Sequence, residues 1–61
     1  MPPRYTYTGD NTGTNLRNGI TYTFVKVNPN IYRAYESDSG GFVEVTKDEL
    51  EYYKEMGVLQ E

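Results

Sequence analysis

Two periodicities divide this chain. Through residue 45, polar and apolar side chains alternate in short runs separated by polar turns; after residue 46 the apolar positions take helical spacing. Residues 4–7, Arg-Tyr-Thr-Tyr, alternate and have the Thr and Tyr content that suits a pleated surface, so they read as a strand. Residues 21–27 form the longest alternating run. Tyr22, Phe24 and Lys26 fall on one face, with Thr21, Thr23, Val25 and Val27 on the other. Asn28-Pro29-Asn30 is a turn, because Pro29 presets its backbone angle and asparagine suits the flanking positions. Residues 31–36 are the return strand. Ser37-Asp38-Ser39-Gly40-Gly41 is a second turn, with residues 42–45 as a further short strand. Gly9 to Asn15, small, polar and twice interrupted by glycine, is the long loop after the first strand and the segment expected to be most mobile.

The helix signal is concentrated at its ends. Thr46 and Glu49 have the spacing of a capping box, and Val45 and Leu50 that of a hydrophobic staple. Asp48 and Glu49 sit where the positive end of a helix dipole favours acids. Gly57 suits the left-handed position after the last turn, with Val58 closing against Tyr53. The spacing predicts a helix over 47–56 that turns Leu50 and Tyr53, with Met56 or Val58, toward the sheet and leaves Tyr52 at its edge. Lys47–Glu51 and Glu51–Lys54 have the spacing of helical ion pairs. Met1-Pro2-Pro3 reads as an extended lead-in, because consecutive prolines cannot join a central strand. The tail Leu59-Gln60-Glu61 is expected to fray.

Size narrows the options. Sixty-one residues make a single domain, and a chain this short buries only about 60% of its unfolded surface. With no Cys and no His, it has neither a disulfide nor a zinc site of the usual kind to reinforce it. Seven of the nine aromatic residues are tyrosines, whose apolar rings and polar tips suit the edge of a small core or a binding face. No run approaches the roughly 20 apolar residues of a membrane span, and the N-terminus lacks a signal-peptide pattern. A soluble, cytoplasmic protein is the default expectation. The net charge of −3 is unevenly distributed: residues 1–33 carry four cations and one acid, +3, whereas residues 34–61 carry two cations and eight acids, −6.

The order of elements resembles that of an SH3-like β-barrel. Tyr5-x-Tyr7, the polar loop, Leu16-x-x-Gly19, the Tyr22/Phe24 strand and two further hairpin strands carry the resemblance. The chain is also similar to short proteins encoded by bacteriophages and prophages, through Tyr7, Gly9, Asp10, Leu16, Gly19, Tyr22, Asp38, Gly40, Val43 and Val45. These matches cover residues 5–46 and are turn and core positions. The resemblance implies a mainly β fold with one C-terminal helix, either a small SH3-like antiparallel barrel or a meander sheet. It also implies a place in the host cytoplasm or the virion. The chain departs from the barrel pattern in having no Trp at a ligand groove, and in a helix where a short turn and final strand would stand.

Candidate chemistry is sparse. Without His and Cys, the most versatile acid–base group and the most reactive nucleophile are missing. Asp38, between Ser37 and Ser39, reads as a turn former. The helix carboxylates read as a capped, solvated face, and Asp10-Asn11-Thr12-Gly13 lacks the 12-residue calcium-loop pattern. No catalytic, metal or cofactor residue is therefore expected. The expectation is a non-enzymatic protein-interaction module that docks a host or virion protein, or a second copy of itself, on an aromatic face. Tyr5, Tyr7, Tyr35 and Tyr52 are the tyrosines expected to reach the surface and bind. The acidic helix is a second candidate face. The alternative is a nucleic-acid-binding barrel using Tyr5, Tyr22, Lys26, Tyr32 and Arg33 on one sheet face, disfavoured by the acidic overall charge.

Overall fold

The computed structural model describes residues 3–61; Met1 and Pro2 of the expected lead-in lie outside the described residues. The elements are β1 (Arg4–Tyr7), β2 (Thr21–Asn28), β3 (Ile31–Glu36), β4 (Phe42–Thr46), α1 (Lys47–Met56) and β5 (Leu59–Gln60). They form one antiparallel sheet in the order β4-β3-β2-β1-β5. The sheet is open, because β4 and β5 are its two ends and do not pair with each other. The mainly β class with one C-terminal helix is therefore present, as the meander form of the expected architecture.

The local chemistry explains each boundary. In the turn between β2 and β3, the Asn28 side-chain oxygen accepts from the Asn30 N–H at 2.9 Å. The register slips between Lys26 and Asn28, so Val27 is the extra residue of a bulge and is exposed. Between β3 and β4, Gly40 takes φ 77° and donates to the Glu36 carbonyl. The Ser39 hydroxyl, not Asp38, makes the side-chain bonds there, to Glu36 and from the Gly41 N–H.

The helix has the predicted span. Thr46 Oγ1 accepts from the Glu49 N–H at 3.1 Å, and Glu49 Oε1 accepts from the Thr46 N–H at 3.0 Å. At the other end Gly57, φ 73°, donates to the Lys54 carbonyl, and the Val58 N–H donates to the Tyr53 carbonyl. This cap turns the chain back along β1 and overturns the expectation of a frayed tail. The Val58 carbonyl accepts from the Thr8 N–H at 2.7 Å, and Leu59 pairs with Tyr7. Two residues suffice for β5 because β1 offers an unpaired edge beside them.

The sheet buries one face. Tyr7, Leu16, Tyr22, Phe24, Ala34 and Val45 from the sheet and its loop meet Leu50 and Tyr53 of α1. The staple pair Val45 and Leu50 is thus part of the core. Each fully buried Leu or Phe here contributes about 1.5–3 kcal/mol relative to exposure. Tyr22 is fully buried, and its hydroxyl accepts from the Arg17 N–H at 2.9 Å, which fixes the loop onto the core. Leu16 and Gly19 act as the pattern predicts. Leu16 is fully buried, while Gly19, φ 86°, donates to the Tyr7 carbonyl. α1 packs on the buried side, against β3 and β4.

Candidate partner-binding groove

The loop after β1 folds against α1 and is held by its own side chains. The Tyr7 hydroxyl donates to the Asp10 carbonyl at 2.8 Å. Thr14 Oγ1 and the Tyr53 hydroxyl are 2.6 Å apart, and Thr14 Oγ1 also accepts from the Leu16 N–H. Asn11 accepts from the Asn18 N–H at 2.7 Å, and Asn18 returns a bond to the Gly9 carbonyl at 3.0 Å. A Cβ at Gly9 would lie 2.6 Å from the Tyr7 hydroxyl, so the close approach requires glycine.

Between this loop and α1 lies a groove of about 420 Å³. Tyr7, Tyr52, Tyr53, Met56 and Val58 supply its aromatic and apolar wall, and Asp10, Thr12, Gly13 and Thr14 its polar lip. The rings are connected edge to face: Tyr7 to Tyr53 at 5.7 Å and Tyr52 to Tyr53 at 6.0 Å between centroids. Tyr52 is 58% exposed and Met56 60% exposed, large apolar surfaces at an open concavity. Burial, followed by the neighbouring Tyr53, pushes the Tyr7 hydroxyl pKa up from its ordinary value. The groove therefore offers rings and hydrogen-bonding groups.

Two of the four expected binding tyrosines, Tyr7 and Tyr52, line this groove. Tyr7, however, is buried and not at the surface as expected. Alternation places it on the inner face of β1, where β5 and α1 cover it. Tyr5 is half-buried against the Phe24 edge, at 5.9 Å, with Lys54 Nζ 5.6 Å from its ring centroid. Tyr35 lies on the outer sheet face, its ring 5.4 Å from that of Phe42. Tyr53 and Met56 are the groove residues not expected there. The helix phase assigned Tyr53 inward, with Met56 or Val58 beside it; Tyr53 is buried, Met56 turns outward, and Val58 takes the inner position.

Of the residues of the alternative nucleic-acid face, Tyr5, Tyr22, Lys26 and Tyr32 share the inner side of the sheet, and Arg33 does not. Tyr22 is fully buried, and the strand register places Arg33 on the opposite face from Tyr32. Arg33 is instead tied down by its neighbours. Its Nη1 donates to the Tyr35 hydroxyl at 3.3 Å and its Nε contacts Glu44 Oε2 at 3.4 Å, which together raise its pKa further. Among the described residues this is the one salt bridge; the helical pairs read from spacing do not form. Among the described residues no group of three or more acidic, His or Cys side chains is placed to hold a metal ion, and no helix is long and apolar enough to cross a membrane. No known protein family, characterised protein or solved structure matches this chain.

Proposed function

We propose that this chain is a non-enzymatic protein-interaction module that docks an extended segment of another protein in the groove between the β1–β2 loop and α1. The observation that carries the reading is the exposure of Tyr52 and Met56 at a concavity already walled by Tyr7 and Tyr53. Tyrosine rings gain affinity from desolvation while their hydroxyls orient a peptide backbone, which makes them frequent interface anchors. The segment that fits carries an apolar side chain for the rings and a cation for the lip, where Asp10 is exposed within a chain of net charge −3.

An SH3-like architecture belongs to the same reading, supported by a fifth strand that returns beside the first and a helix that links β4 to β5 in the chain. The resemblance of the turn and core pattern to phage-encoded proteins extends it to a partner in the virion or the host cytoplasm.

Chemical-shift mapping with short peptides containing Arg and Leu tests the site. The amides of Thr12 to Thr14, Tyr52 and Met56 are expected to shift, and Tyr52→Ala to weaken binding about tenfold without loss of fold. Shifts confined to Tyr35 and Phe42, or saturable binding of single-stranded DNA at low salt, would reject the groove.

A further inference from the structure

The face of β2, β3 and β4 that turns away from α1 is covered by none of the described residues. Strand register places Arg4, Thr23, Tyr35 and Phe42 in one row across it, and Val25, Arg33 and Glu44 in the next. Val27 is 47% exposed and Phe42 48% exposed. The Arg33 guanidinium lies 4.6 Å from the Phe42 ring centroid. Two of its five N–H donors are used, by Tyr35 and Glu44. The face is therefore an aromatic and aliphatic surface carrying two arginines and one carboxylate, Glu44, which is paired with Arg33.

The opposite side of the molecule has the complementary chemistry. Asp48, Glu51 and Glu55 fall at successive helical turns opposite the buried Leu50 and Tyr53, and all three are exposed. None of the three forms a salt bridge among the described residues. Because α1 packs on the inner side of β3 and β4, this acidic face and the arginine-bearing sheet face point in opposite directions.

We infer that the outer sheet face of one copy receives the acidic face of α1 from a second copy, so that the chain self-associates head to tail. Arg4 and Arg33 meet the helix carboxylates while Phe42 and Tyr35 are covered by the helix body. Two complementary faces on opposite sides cannot satisfy each other within a two-fold dimer; such contacts propagate into rings or short filaments. The area is at the small end for protein interfaces, so the association is weak, with a dissociation constant on the order of 100 μM. It does not depend on the groove or on what occupies it.

Sedimentation velocity on the full chain up to about 1 mM provides the test. At about 50 mM salt the average mass is expected to rise with concentration beyond that of a dimer, and to return to the monomer at about 500 mM salt as the charges are screened. An Arg4→Glu/Arg33→Glu variant and a Glu51→Lys/Glu55→Lys variant are each expected to stay monomeric, and their equimolar mixture to associate again. Circular dichroism confirms that each is folded. Should the arginine variant not fold, the helix variant alone decides, because its changes lie on an exposed surface. A monomer throughout the concentration range overturns the inference. So does a mass that stops at two, or association indifferent to salt and to the lysine changes.

Discussion

The Tyr7 hydroxyl donates to a loop carbonyl while its ring is buried against Tyr53, so this one side chain links strand, loop and helix. Tyr7→Phe removes the donor and leaves the Asp10 carbonyl without it, an expected loss of about 1 kcal/mol in thermal or urea unfolding at neutral pH. The same substitution has a signature in pH. The fold raises the Tyr7 pKa above its ordinary 10.0, so the neutral form is favoured when folded. That contribution is complete below pH 10 and is lost as pH rises through the folded value. Wild-type stability is therefore expected to fall more steeply than that of Tyr7→Phe above pH 10; parallel alkaline profiles would show that the hydroxyl is not held as described. The alternation of β1 placed Tyr5 and Tyr7 on a common face, but not which face would be covered. That decision belongs to β5 and α1, so the expectation of a surface Tyr7 failed.

Each end of α1 is set by a few residues acting on neighbouring backbone. Both capping bonds between Thr46 and Glu49 are present, and Thr46→Ala is expected to cost about 1 kcal/mol, read from the unfolding midpoint. The Gly57 cap matters beyond the helix, because it aims Val58 and Leu59 at β1. Leu59→Ala, at a half-buried position packed on the core, is expected to cost about 1–2 kcal/mol. Gln60→Ala, at the exposed neighbour, should change stability by less than about 0.5 kcal/mol. Equal effects at the two positions would mean that β5 is not anchored through Leu59. The helix was legible in detail because capping chemistry is local and acts within a few residues. β5 was not legible: two residues carry no periodicity, and their pairing partner lies more than fifty positions away.

At the scale of the molecule, one small core stabilises everything, and the chain has no Cys. Unfolding is expected to be a single reversible transition in urea, with an m-value of about 1 kcal/mol/M. Separate transitions by tyrosine fluorescence and far-ultraviolet circular dichroism would instead place the loop outside the cooperative unit. The sequence by itself determined the first four strands, their turns, and the helix with both caps and with Leu50 and Tyr53 turned to the sheet. These follow from periodicity and from hydrogen bonds between residues close in the chain. Only the tertiary structure decided that the sheet stays open, that the tail becomes its fifth strand, and that Tyr7, Tyr52, Tyr53 and Met56 meet at one groove. It also placed Arg33 and Phe42 together on the far side. Each of these depends on which surfaces meet when the helix crosses the sheet, a relation between distant residues that alternation and capping do not encode.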